Sequence, residues 1–196
     1  KGVINGLGRV NYPDGSIYEG QMKDGLAQGK GKITYPNGAN YEGQWVANVI
    51  EGAGRAVYAD GTIYEGRFKD ARHDGQGVLT RPDGYRYEGA WVNNQITGLG
   101  TATFTDGSIY EGQFKDGQRH GRGVFRMADG FTYEGAWRDG AMTGQGTARY
   151  ATGDTYIGAF VDGKREGEGE MSYADGKVVS GLWANGQLVE AEATGN

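Results

Sequence analysis

A tyrosine returns every 23 residues without one insertion: Tyr18, Tyr41, Tyr64, Tyr87, Tyr110, Tyr133 and Tyr156, with Val179 in the next place. A fixed short period of this kind means that each unit is one supersecondary element which buries its apolar face only against its neighbours. With the tyrosine as position 1, glycine fills positions 3, 12, 14 and 21, and those columns hold most of the 39 glycines. Position 5 is always large: Met22, Trp45, Phe68, Trp91, Phe114, Trp137, Phe160 and Trp183.

Two stretches of each repeat alternate between two faces and read as strands, as in Tyr41–Val46 and in the Gly-x-Gly run ending at Tyr35, Tyr58 or Tyr150. Both are too short and too glycine-rich for helices. Between repeats stand Asp14-Gly15, Asn37-Gly38, Asp60-Gly61 and Asp106-Gly107, which predict two-residue type I′ hairpins. Within repeats a five-residue loop is expected, often opening Asp-Gly as at Asp24-Gly25, Asp116-Gly117 and Asp162-Gly163.

Side-chain volumes assign the faces. Trp45, Trp91 and Trp137 share their repeats with Ala56, Ala102 and Ala148 at position 16, whereas Met22, Phe68, Phe114 and Phe160 go with Ile33, Leu79, Phe125 and Met171. Close packing rewards large against small. Positions 1, 5 and 16 are therefore expected on one face, with rings lying on bare glycine backbone as a thin core. The predicted fold class is all-β, an elongated twisted single-layer antiparallel meander of tandem 23-residue β-hairpin repeats. Sixteen strands at about 4.8 Å would span roughly 70–75 Å, and a twist of about −20° per strand would accumulate along it.

The organisation follows from the period. Residues 1–17 are the second half of a repeat, 18–178 are seven full repeats, 179–189 begin another, and 190–196 are a tail. The chain opens at Lys1, inside a repeat, and its first strand lacks a hairpin partner, so further repeats are expected to precede it.

Composition excludes several classes. Glycine without proline (3 residues) is not collagen, and 13 Tyr with 4 Trp is not a flexible linker. A net charge of −5 gives the whole chain no electrostatic reason to bind nucleic acid. There is no cysteine for disulfide or thiolate chemistry. No apolar run approaches the ~20 residues of a membrane helix, and no signal-peptide pattern opens the sequence.

The motif YEGQFKDGQRHGRG at 110–123, repeated as YEGAWRDGAMTGQG at 133–146, resembles the MORN (membrane occupation and recognition nexus) repeat. Met22, Ile157 and Val179-Ser180 depart from that pattern. The resemblance implies a hairpin-repeat fold. In lipid kinases, lysine methyltransferases and junctional membrane proteins such repeats are accessory segments. In proteins of protist parasites made almost wholly of repeats they build cytoskeletal collars, often as dimers joined through C-terminal repeats. The resemblance thus implies a structural scaffold, a homodimer with cytoskeletal or membrane-associated partners. It implies a cytoplasmic place in the cytoskeleton at the cell periphery or beneath the plasma membrane.

Candidate sites are few. His73 and His120 are read as lying in corresponding loops two repeats apart, about 19 Å, too far to share a metal ion. No acidic pair stands out from the repeat background, and no Gly-x-Gly is followed by a phosphate-binding helix. No catalytic centre, metal or cofactor is expected. The column Glu19, Glu42, Glu65, Glu88, Glu111 and Glu134 reads as a solvated face beside Lys23, Lys69 and Lys115.

Three binding surfaces remain as expectations. Basic loop tips (Arg72, His73, Lys115, Arg119, His120, Arg122, Lys164 and Arg165) alternate with apolar ones at Val49-Ile50, Ile96, Met142 and Leu188, and suit acidic phospholipid or an acidic protein. The aromatic face (Tyr41, Trp45, Tyr87, Trp91, Tyr133 and Trp137) suits a client peptide. At the C-terminal end the repeat beginning at Val179 is expected not to close, leaving Val178, Val179, Leu182, Trp183, Leu188 and Val189 at an open edge for homodimerisation. Outside these classes, the chain would be the targeting segment of a larger enzyme.

Overall fold

Residues 3–191 are described by a computed structural model, and they bear out the all-β expectation with seventeen strands and, among the described residues, no helix. The chain divides into two units at Ile96 and Thr97. The first holds β1 (Gly6–Asn11), β2 (Ile17–Lys23), β3 (Leu26–Thr34), β4 (Asn40–Val46), β5 (Val49–Val57), β6 (Ile63–Lys69), β7 (Arg72–Thr80) and β8 (Arg86–Val92), each antiparallel to the next. β9 (Gln95–Thr103) carries the boundary. The second unit continues as β10 (Ile109–Lys115), β11 (Gln118–Arg126), β12 (Thr132–Arg138), β13 (Ala141–Arg149), β14 (Thr155–Val161), β15 (Lys164–Ser172), β16 (Val178–Ala184) and β17 (Gln187–Ala191), in the same single-layer meander from β9 onward.

The two kinds of turn are the reverse of those the sequence suggested. Asp24-Gly25, Ala47-Asn48, Asp70-Ala71 and Asp116-Gly117, all inside repeats, have positive φ at both residues, which is the type I′ hairpin. Between repeats the Gly15 amide donates to the Tyr12 carbonyl and the Tyr12 amide to the Ser16 carbonyl, so three residues turn the chain and Gly15 alone is left-handed. In the first of these turns proline forbids the two-residue alternative, and Ala59-Asp60-Gly61 turns the same way without it. A two-residue Asp14-Gly15 turn would need a donated bond from Pro13, which has no N–H, whereas Pro13 suits the first central place of a type I turn. Asp14 Oδ1 then accepts from the Ser16 amide at 2.9 Å.

The expected five-residue loop is a two-residue turn followed by a bulge. Register slips between Gly43 and Trp45 and at the equivalent point of the other repeats. The slip is of two residues, since Gly43 opposes Gly54 whereas Trp45 opposes Ile50, and it is taken up around position 12, where Gly52 has φ +80°. A carbonyl stranded by the bulge accepts from the repeat's own tyrosine: the Tyr41 hydroxyl reaches Gln44 O at 3.1 Å and Tyr64 reaches Arg67 O at 3.0 Å.

Each tyrosine lies flat over a cross-strand glycine pair. A methyl group on Gly31 would collide with the Tyr18 hydroxyl. The rings then stand edge-to-face in a chain, Tyr18–Trp45 at 5.2 Å, Tyr41–Phe68 at 5.0 Å and Tyr64–Trp91 at 5.4 Å, each worth about 0.5–1.5 kcal/mol beyond its buried area. Indole N–H groups donate to glycine carbonyls, Trp45 to Gly31 and Trp137 to Gly123.

Positions 1, 5 and 16 do share this face, since Tyr41 stands opposite Ala56 and both are buried. The packing partners differ from the expected ones. Position 5 opposes glycine 12 of the preceding repeat, as Trp45 opposes Gly29, so an indole leans toward position 16 of that preceding repeat. Phe125 and Trp137 are 6.0 Å apart. The volume rule therefore links large to large across a repeat junction, and the alanines lie beside tyrosines.

The C-terminal partial repeat closes after all. Asn185-Gly186 make a type I′ turn, and β17 pairs with β16, Trp183 opposite Leu188. Of the expected tail, residues 192–196 lie outside the described residues.

Candidate functional site

The strand after each inner turn places position 10 opposite position 5, hence on the aromatic face: Ile50 opposes Trp45, His73 opposes Phe68 and Arg119 opposes Phe114. Three of the expected basic tips are therefore not tips. His73 is 7% exposed, stacked on Tyr64 at 3.6 Å and edge-on to Trp91 at 5.1 Å. Burial pushes its pKa down to about 4, so the ring is neutral at pH 7, and its Nε2 is hydrogen-bonded with the Tyr58 hydroxyl at 2.6 Å. Arg119 lies 4.4 Å from the Trp137 ring centre and 5.0 Å from Phe125, and it donates to the Gly140 carbonyl at 2.7 Å. Arg165 repeats this with Trp183 at 4.4 Å and the Gly186 carbonyl.

Arg72, Lys115, Arg122 and Lys164 are exposed, as a binding role requires. His120 is at position 11, the column of Asp74 and not of His73, and opposes Gln113 on the other face. It lies 3.8 Å from Asp139. The two histidines are thus neither in corresponding places nor in loops. Counting from the tyrosine would have found this, because Arg119, not His120, shares the His73 column.

The charged face pairs with itself. Glu19, Glu42, Glu65 and Glu111 meet Arg9, Lys32, Arg55 and Arg126 on adjoining strands, with Arg55–Glu65 and Arg126–Glu111 at 2.6 Å. A hollow of about 910 Å³ lies among these pairs, with Glu19, Lys32, Glu42 and Arg55 in its lining and Lys30 beside them.

The aromatic face of the first unit is different. Tyr41, Trp45, Tyr87 and Trp91, like Tyr133 and Trp137 in the second unit, are buried and form the floor. Accessible aromatic surface comes from position 18, where Tyr12 is half-buried and Tyr35 and Tyr58 are 36% and 39% exposed. Between Tyr12 and Tyr35 is an apolar hollow of about 670 Å³ lined by Ile33, Trp45, Val49 and Ile50. Between Tyr35 and Tyr58 a second, about 200 Å³, is lined by Ile50, Ala56 and Phe68. Beyond Tyr58 the equivalent space is taken by His73, and in the second unit Arg119 and Arg165 approach Phe104 and Tyr150 at 6.0 Å. Sequence reading missed the position 18 column as a site. Its signal was a large residue there in every repeat, broken only by Arg81.

At the C-terminal end, Val178, Leu182, Leu188 and Val189 are exposed, the last at 59%. Trp183 is buried and donates to Gly169 O, and Val179 opposes Met171, so these two belong to the chain's own layer.

These features define a tandem β-hairpin repeat protein with an aromatic-on-glycine core. The sequence profile of the MORN repeat matches residues 18–39, 41–63, 64–84, 87–109, 110–132, 133–155 and 156–178, and the chain belongs to that family. A comparison with curated proteins finds no match. Among solved structures the fold is similar to the G-box domain of the microcephaly protein CPAP, at 17% identity over 97% of this chain and all of that one, TM-score 0.57. It is also similar to the TCP10 domain of Danio rerio CPAP, in complex with a Danio rerio STIL peptide, at 19% identity over 93% of this chain and 82% of that one, TM-score 0.53.

Proposed function

We propose that the chain is a non-catalytic scaffold whose first unit holds an extended segment of a partner protein along the hollows between Tyr12, Tyr35 and Tyr58. The observation that carries this reading is the pair of open apolar hollows on the first unit's aromatic face, at places whose equivalents are filled by His73, Arg119 and Arg165. The Danio rerio domain of the same fold, solved with a peptide, supports a sheet of this kind as a peptide holder.

The test uses Ile50→Arg, which introduces the side chain that fills the same column at Arg119 and Arg165, so the fold has its own precedent for it. Peptides selected from a random display library on the wild-type chain should bind this variant at least about tenfold more weakly, or about 1.4 kcal/mol. Equal binding to both, or no enrichment, would remove the reading.

A second reading is self-association. Exposed Leu182, Leu188 and Val189 favour a homodimer through β16 and β17, set in a membrane-associated cytoskeletal assembly of the kind the family resemblance implies. Leu188→Lys with Val189→Lys should then halve the mass in solution; an unchanged mass rejects it. An acidic phospholipid surface would have to be met by Arg72, Lys115, Arg122 and Lys164, the exposed members of the basic set.

A further inference from the structure

The two hollows lie one repeat apart, and one repeat is two strands. The tyrosine rungs therefore advance by about 9.6 Å across the strands. An occupant that seats the same side chain in successive hollows must repeat at that distance along its own axis. A β-strand presents one face every ~6.6–6.8 Å and drifts out of step at once. A polyproline II helix advances about 3.1 Å per residue with three residues per turn, so every third side chain returns after about 9.3 Å. Only the second matches the rungs.

Hydrogen bonding selects in the same direction. A segment lying across the strands finds the backbone groups of β1 to β6 already spent on their ladders. A polyproline II helix has no internal hydrogen bonds and keeps its backbone solvated, so it loses least there, and proline rings pack well on aromatic side chains.

Charge supplies the remaining part. The turns beside Tyr12 and Tyr58 carry exposed Asp14 and Asp60. The Asp14 carboxyl is held below its ordinary range by the Ser16 hydroxyl and amide, and Asp60 by the Thr62 amide, so both are ionised at neutral pH. The edge residues 11–17, 34–40 and 57–63 contain no Lys or Arg; on the opposite rim Asn48, Val49 and Ala71 line the larger hollow, with Asp70 and Arg72 flanking Ala71. The first cation on the ladder is Arg81, which replaces tyrosine at the next rung and lies over Tyr85 at 4.9 Å. The rungs thus form a short anionic aromatic ladder, closed by His73 and Arg81.

We propose that the hollows bounded by Tyr12, Tyr35 and Tyr58 take a basic polyproline II segment of a partner protein, with every third residue a proline seated between rungs and its Arg or Lys side chains turned to Asp14 and Asp60. This names the ligand class for the scaffold reading above and rests on it.

Four Pro-Pro-Arg triplets, a peptide of about twelve residues, supply the probe, and two controls separate its properties. Pro-Pro-Glu triplets keep the helix and reverse the charge; Val-Thr-Arg triplets keep the charge and lose the helix. Titration of the full chain at low salt, followed at the Trp45 indole N–H by NMR, should show binding of the first peptide alone. Ile50→Arg and Tyr35→Ala should each weaken it about tenfold or more, and Asp14→Asn with Asp60→Asn, which keeps the turn acceptors, about threefold to tenfold with loss of salt dependence. Equal binding of the Val-Thr-Arg peptide overturns the helix, and equal binding of the Pro-Pro-Glu peptide overturns the charge. If display-selected peptides bind in the Ile50-dependent way and Pro-Pro-Arg does not, this proposal fails while the scaffold reading stands; if neither binds, both fail.

Discussion

In the first unit position 10 runs Ala27, Ile50, His73 and Ile96; in the second it runs Arg119, Met142, Arg165 and Leu188. The floors beneath are the same, a tyrosine on paired glycines with a large ring at position 5. Open hollows lie around Ile50, whereas guanidinium groups sit on the rings at Arg119 and Arg165. With the scaffold held constant, one side chain per repeat decides whether the aromatic face is left open or is filled. The sequence alternation that looked like basic and apolar tips is instead an alternation in how that face is filled.

If the floors are equivalent, damage to them must cost the same in either unit. Gly31→Ala and Gly123→Ala each force a methyl group against a tyrosine hydroxyl pinned by its own hydrogen bond. Each should destabilise by about 2–3 kcal/mol as overpacking does, read from the urea midpoint. A large cost in one unit and none in the other would break the comparison at its base.

Acid should act on one unit only through its position 10 column. His73 titrates at about 4 in the folded chain against 6.5 when unfolded. Between those values the unfolded chain takes a proton that the folded one refuses, so stability is complete above about pH 6.5, declines as pH falls, and levels off below about 4. The loss should be up to about 3 kcal/mol, and His73→Leu should abolish that part of the pH profile. A profile unchanged by the substitution would mean the imidazole is not held as described.

Opening the second unit tests the rule from the other side. Arg119→Ile removes a cation–π contact with Trp137 and a charged donor to the Gly140 carbonyl. The expected cost is about 1–2 kcal/mol. A neutral result would show that the guanidinium only covers the rings.

Much of this was legible in the sequence, because a strict period fixes which residues share a face. Tyr41, Trp45 and Ala56 fall on one side by alternation alone. What alternation does not carry is any offset between strands. Asp-Gly occurs both at Asp14-Gly15 and at Asp24-Gly25; Pro13 marks the first as a three-residue turn, but Ala59-Asp60-Gly61 turns the same way with no proline to mark it. Gly52 looks like one more glycine of the pattern, yet its left-handed backbone lies in a slip that takes up two residues which would otherwise lengthen the loop. That slip carries His73 and Arg119 from the solvent edge, where they were expected, into the ring layer. The hollows depend on the same slip, so the column of Tyr12, Tyr35 and Tyr58 went unrecognised as a site.

The smallest effect belongs to the opposite face, where the two units should be indistinguishable. Arg55–Glu65 in the first and Arg126–Glu111 in the second are both 2.6 Å ion pairs between half-exposed side chains on adjoining strands. Solvent screens such pairs, and ordering two long side chains offsets most of the attraction. Double-mutant cycles to alanine should give a coupling of about 0.3–0.5 kcal/mol for each pair, vanishing in 1 M salt at a Debye length of about 3 Å. A coupling well above 1 kcal/mol in either unit would mean that this face contributes to holding the strands together, and the division into a structural aromatic side and a solvated charged side would no longer hold.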